Sequence, residues 1–105
     1  MSVRPPAECE NMEQVRAEID RLDSAILDLV AERFGYVDRA WQLKSRREDA
    51  VVPWRIQQVI DRVRARATER GVPPELAEAL WRQMIGWFIQ YEEEKLSNPP
   101  AGTQK

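Results

Sequence analysis

The apolar positions of this chain fall into three helical stripes separated by two short breaks. Val15, Ile19, Leu22, Ile26 and Leu29 alternate steps of four and three, the seam of a helix that packs along its whole length. No proline interrupts residues 11–46, so one helix is predicted from Asn11 to Arg46. Asn11 suits the N-cap, and Gln14, three residues on, is placed to close a capping box. Glu48 to Val52 reads as a loop. Pro53 then stands in the first turn of a second helix, where its missing N–H costs nothing. Ile56, Val59, Ile60 and Val63 carry that helix at the right spacing, and Gly71 is its expected C′ residue. Pro73, Pro74 and Glu75 open a third helix with inward positions Leu76, Leu80, Met84, Ile85, Phe88 and Tyr91, and with Trp81 and Trp87 on its flanks. Residues 1–10 are expected to form a flexible arm, 11–97 a helical domain and 98–105 a flexible tail.

The pattern predicts an all-α fold, a three-helix chain with a long first helix. At the rise of an α-helix the first one is roughly 50 Å long. A compact chain of this size has a radius of gyration of about 13 Å. The stripe outruns what one chain can cover, and a homodimer is expected.

The same periodicity places charge on inward faces. Continuing the first seam beyond Leu29 reaches Arg33, Val37, Ala40 and Lys44, and one step past Ile85 and Phe88 reaches Glu92. Arg16 sits beside the seam's first member. Arg55 opens the second helix, where the loop is expected to bring it back towards Lys44. An unpaired charge on a buried face costs several kcal/mol, so each cation needs an anionic partner, from the protein or from a ligand. Arg16 is roughly 25 Å from Arg33 along the helix. It joins the same site only from an antiparallel partner chain. The plainer alternative is that these side chains snorkel from the flank of the stripe, with Glu92 simply pairing with Arg33 or Lys44. Trp41, Trp54, Trp81 and Trp87 read as core or dimer interface. Arg62, Arg64, Arg66 and Arg70, interleaved with Asp61 and Glu69, read as a solvated face, and Cys9 on the arm has no assigned role.

Composition narrows the chemistry. The chain has 105 residues, enough for one small domain, and its 32% of charged residues sum to a net charge of −2. That mixed balance is a poor footprint for nucleic acid. No run is long and apolar enough for a membrane span, and residues 1–10 lack the apolar core of a signal peptide, so a cytoplasmic protein is expected. The single cysteine excludes an internal disulfide. With no histidine, Ser-His-Asp and Cys-His catalysts are excluded, and zinc loses its commonest ligand. The four glycines are scattered, so no glycine-rich phosphate loop exists. Neither cofactor nor metal is expected.

The run Val15-Arg16-Ala17-Glu18-Ile19-Asp20-Arg21-Leu22-Asp23, then Ala31-Glu32-Arg33, Lys44, Pro53 and Arg55, resembles the all-helical chorismate mutase family across residues 11–95. The short loop and the segment Pro6-Ala7-Glu8-Cys9 are similar to the isochorismate-pyruvate lyase branch in particular. The resemblance implies an intertwined homodimer with two equivalent sites for a small dicarboxylate. Arg16 from the partner chain and Arg33 would clamp one carboxylate, and Arg55 would assist at the other end. Lys44 would hydrogen-bond the ether oxygen and a carboxylate. Glu92 stands where the family usually has a Gln that contacts the same ether oxygen, and Phe88 would line the substrate one turn earlier. Many mutases carry Glu just after the Arg of the second helix, where this chain has Ile56, and a loop Asp near the ring hydroxyl, where it has Val52. Both departures are shared with the lyase branch.

The implied chemistry needs none of the groups the chain lacks. Chorismate rearranges to prephenate by a pericyclic shift without nucleophile, metal or proton transfer. Catalysis then consists of holding the dicarboxylate in its near-attack shape and stabilising charge on the departing ether oxygen. Arg binds carboxylates bidentately, and Lys suits a single oxygen. To donate to that oxygen Glu92 must be protonated; burial favours the neutral acid and the nearby cations oppose it. The mutase reaction is the leading expectation. Loss of pyruvate from isochorismate to give salicylate, and a 4-amino-4-deoxychorismate mutase, are alternatives on the same cations. A mutase that needs a partner enzyme to order residues 46–52 is another, and a non-enzymatic helical dimer is the competing class.

Overall fold

The computed structural model describes residues 3–97. The chain divides into two compact units, Met1–Tyr36 and Val37–Lys105. A 3-10 turn at Pro6–Glu8 precedes α1 (Met12–Leu43), a second 3-10 turn follows at Arg47–Ala50, and then come α2 (Pro53–Glu69) and α3 (Pro74–Ser97). No strand occurs among the described residues. The tail expected at 98–105 lies outside them.

In the first unit, α1 starts as its cap residues dictate. The Asn11 side-chain oxygen accepts from the Gln14 N–H at 2.9 Å, and Gln14 Oε1 accepts from the Glu10 N–H at 2.7 Å. This is a capping box with its return bond moved one residue upstream. The segment before the helix is tied to it by the Arg4 N–H, which donates to Glu18 Oε2 at 3.2 Å. Arg21 Nε donates to the other Glu18 oxygen at 2.8 Å. The two donors hold the Glu18 carboxyl below its ordinary value, Arg21 contributing the larger share. The apolar seam is uncovered: Ile19, Leu22, Ile26 and Leu29 are 50%, 48%, 54% and 65% exposed.

In the second unit α1 ends at Leu43, three residues before the Arg46 expected from periodicity. The cause is local. The Arg46 N–H donates to Asp49 Oδ2 at 3.3 Å, and the Asp49 N–H donates to the Arg46 carbonyl at 3.0 Å. Arg46 is thereby drawn into extended backbone as the cap of the 3-10 turn. Lys44 is left just past the helix, where its N–H closes a tighter bond to the Trp41 carbonyl at 3.2 Å.

Helix α2 packs on α3, and α3 packs on the 3-10 turn, whose Ala50 is buried. Ile60 fills the centre of this small core with Ala67, Ala77 and Phe88. Leu76 and Leu80, expected inside, are instead 50% and 55% exposed. Ala67 and Ala77 are buried, and the leucines border an open apolar groove of about 310 Å³ that these alanines also line. Arg64 also departs from expectation. It is half-buried, and its Nη1 donates to Glu78 Oε1 across the α2–α3 contact at 2.7 Å. Arg82 holds the other Glu78 oxygen at 2.6 Å.

The α2–α3 turn is a Schellman closure. The Val72 N–H reaches the Ala67 carbonyl at 2.8 Å and the Gly71 N–H reaches the Thr68 carbonyl at 3.2 Å, with Gly71 at φ +75°. A Cβ at Gly71 meets nothing within 4 Å, so only the backbone conformation opposes a side chain there. Gly71→Ala is expected to cost about 1 kcal/mol, a fall in Tm of about 4–8 °C by thermal melt. Glu78 yields a second expectation. Arg82, and after it Arg64, hold its carboxyl below the ordinary 4.5 against desolvation. A carboxylate lowered by folding stabilises in full above its unfolded value and loses that contribution as pH falls through the folded one. Melts at successively lower pH below 4.5 should therefore show a declining Tm, with a shallower decline in Glu78→Gln.

Candidate active site

Lys44 and Glu92, 48 residues apart in sequence, meet. Lys44 Nζ donates to Glu92 Oε1 at 3.0 Å. Glu92 is the buried polar residue of the described core, while Lys44 keeps about a quarter of its side chain in solvent. The seam rule placed Glu92 inside, and Lys44 supplies the positive partner that an inward carboxylate needs. Lys44 reaches it from the segment after α1 and not from the helix itself, so its backbone no longer follows the seam that predicted it. Phe88 is buried one helical turn before Glu92 on the same face of α3. Its ring meets Trp87 edge-on at 5.1 Å and Tyr91 edge-on at 6.4 Å.

Beside this pair lies a second link between the end of α1 and α3. Asp38 Oδ1 accepts from the Tyr91 hydroxyl at 2.6 Å and from Trp41 Nε1 at 2.7 Å. Donation by Tyr91, and then by Trp41, holds the Asp38 carboxyl below its ordinary value. The same bond pushes the Tyr91 phenol up to about 12, so Tyr91 remains a donor throughout the neutral range. The Tyr91 ring stacks on Trp87 at 5.6 Å and lies 5.4 Å from Lys95 Nζ. The seam rule passed over Asp38 and Trp41, since each falls one position beyond the seam residues Val37 and Ala40. The readable signal was Tyr91: an inward Tyr needs a partner for its hydroxyl.

The other expected residues are placed separately. Val52 is half-buried at the N-cap of α2, where its carbonyl accepts from the Arg55 and Ile56 N–H groups at 3.0 and 3.1 Å. Arg55 is exposed, and its Nη1 donates to Gln58 Oε1 at 2.6 Å. Arg16, exposed, and Arg33, half-buried, belong to the unit that ends at Tyr36. Among the described residues no group of three or more Cys, Asp or Glu is placed to hold a metal ion, and no helix is long and apolar enough to cross a membrane.

Chemically, the Lys44–Glu92 pair sets a half-buried cation with spare donors beside a buried acid and an aromatic floor. Such a site can hydrogen-bond an oxygen that gains negative charge without offering a nucleophile. The chain is 28% identical over 87 residues to an isochorismate pyruvate lyase of Pseudomonas aeruginosa, covering 83% of this chain and 86% of that protein. It is 34% identical over 82 residues to a T-protein of Enterobacter agglomerans, covering 77% of this chain and 22% of that longer protein. The sequence profile described as chorismate mutase type II matches residues 15–93, a stretch that runs from the first seam residue to just past Glu92. The chain belongs to the chorismate mutase type II family.

Proposed function

We propose that the chain is a chorismate mutase that converts chorismate to prephenate as an intertwined homodimer without metal or cofactor. The observation that carries this reading is the match of the chorismate mutase type II profile to residues 15–93; the Lys44–Glu92 pair at 3.0 Å, which the plainer alternative also expects, brings two of the implied site residues together. In the reaction the ether C–O bond breaks as a C–C bond forms within the same molecule, so the protein has only to fold the substrate and stabilise charge on the ether oxygen. Lys44 has three donors. It can hold Glu92 with one and direct the others to the ether oxygen and a carboxylate. Arg33, with Arg16 of the second chain, clamps one carboxylate, and Arg55 assists at the other once it releases Gln58. Glu92, which stands where the family usually has a Gln, is the second group at the same oxygen.

The dimer in this reading draws its support from the seam of α1. Ile19, Leu22, Ile26 and Leu29 are each about half exposed in the single chain, and a second copy of α1 is the matching apolar surface. The lyase reading is kept as the alternative because a protein bearing that name covers 86% of its own length in the match. Val52 and Ile56 also replace the polar residues through which the mutases would recognise the ring hydroxyl.

Incubating the purified protein with chorismate and isochorismate separately should yield prephenate from the first; salicylate and pyruvate from the second select the lyase. Lys44→Ala should lower kcat by about 10²–10³, and Arg33→Ala should raise KM as well. No turnover of either substrate, with both variants changing stability alone, would leave the non-enzymatic dimer. Glu92→Gln, which keeps a donor in reach of the ether oxygen, should remain active, and an inactive Gln variant removes Glu92 as a donor at that oxygen. Light scattering should report twice the mass of the 12.3 kDa chain. Ile26→Asp, which buries a charge in the proposed interface, should shift it to monomer.

A further inference from the structure

Four contacts close a ring between the end of α1 and the C-terminal part of α3. The Tyr91 hydroxyl and the Trp41 indole N–H converge on one oxygen of Asp38. The Trp41 carbonyl accepts from the Lys44 N–H at 3.2 Å, and Lys44 Nζ reaches Glu92, the neighbour of Tyr91 on α3. Lys44 has left the helical ladder, and the 3-10 turn that follows it caps itself. The backbone of Lys44 is therefore held by the last turn of α1 through the Trp41 carbonyl, and that turn is tied to α3 by the Asp38–Tyr91 bond. We propose that Asp38 is a positioning residue that, with Tyr91 as its donor, fixes the last turn of α1 on α3 and so sets the reach of Lys44 to the reacting oxygen.

This inference rests on the function proposed above for Lys44. Physical chemistry favours Asp at position 38 for two reasons. An ionised carboxylate accepts two short hydrogen bonds on one oxygen more strongly than a neutral acceptor does. The Tyr91 bond holds Asp38 ionised and Tyr91 protonated through the neutral range, so the clamp does not switch with pH where the reaction is assayed. A flexible Lys would otherwise sample many rotamers, and a small displacement at such a contact is expensive in rate.

The test uses the full-length chain and the variants Asp38→Ala, Asp38→Asn and Tyr91→Phe. Steady-state kinetics on whichever substrate the wild type turns over are combined with NMR hydrogen exchange at the Trp41 indole N–H and the Lys44 backbone N–H. Asp38→Ala is expected to lower kcat by about 10- to 100-fold with KM changed by less than about threefold. Asp38→Asn keeps an acceptor oxygen in place and should recover most of the loss, while Tyr91→Phe should fall between. Exchange protection at Lys44 should drop in Asp38→Ala. If that variant fails to fold, Tyr91→Phe carries the same comparison. An Asp38→Ala protein with a lower Tm but kcat within about twofold of wild type has lost only stability, and the positioning role is wrong. Unchanged exchange at Lys44 overturns it equally. A wild type inert towards both substrates overturns the proposed function instead, and the exchange measurement then decides by itself whether Asp38 orders Lys44.

Discussion

A carboxylate taken out of water must bring a positive partner with it, and in this chain that requirement joins distant segments. Glu92 is carried inward by the periodicity of α3, behind Phe88 and ahead of the C-terminal turn. Lys44 answers it from the far end of the sequence, at 3.0 Å. Removing either partner would strand the other as a poorly solvated charge. The contact therefore ties the segment after α1 to α3. Asp38, Tyr91 and Trp41 repeat the arrangement with neutral donors on a charged acceptor, one turn and a half earlier along α1.

Polar groups and apolar surface are balanced unevenly. The core of the second unit is small: Ile60, two alanines of the α2–α3 contact, Ala50 and Phe88. Much of what a larger core would bury stays open, in the α1 seam and in the groove bordered by Leu76 and Leu80. Cross-helix ion pairs supplement that core. Arg64, Glu78 and Arg82 bind α2 to α3 near the Schellman turn, and Lys44 and Glu92 act at the other end. Partly exposed pairs of this kind are worth little individually, so they specify which helix faces meet more than they stabilise them.

The chemistry of the family suits a chain of this composition. An intramolecular rearrangement asks for shape and placed charge, and Arg and Lys side chains are groups that can supply both. Rigid elements hold such groups better than loops do. Lys44 sits just outside a helix, next to the Trp41–Asp38–Tyr91 contacts that tie the last turn of α1 to α3.

Features decided within a few residues were readable from the sequence. Asn11 with Gln14, Pro53, Pro74 and Gly71 mark helix ends through bonds spanning two to five positions, and each does so in the structure. The inward placement of Glu92 was equally local, a matter of counting along α3. The early end of α1 is just as local, set by Asp49 three residues after Arg46, and apolar periodicity missed it because a polar side chain bonding to the backbone leaves no mark on that period. The burial of Arg64 and the exposure of Leu76 and Leu80 were not readable, since both depend on which faces of α2 and α3 meet. Sequence by itself thus determined the three helices, the caps at Asn11, Pro53, Pro74 and Gly71, and the inward placement of Glu92. Sequence left open whether Arg33 or Lys44 would answer Glu92; that Lys44 does, and that Asp38 meets Tyr91, tertiary structure decided, because contacts 48 and 53 residues apart are settled by packing and not by helical period.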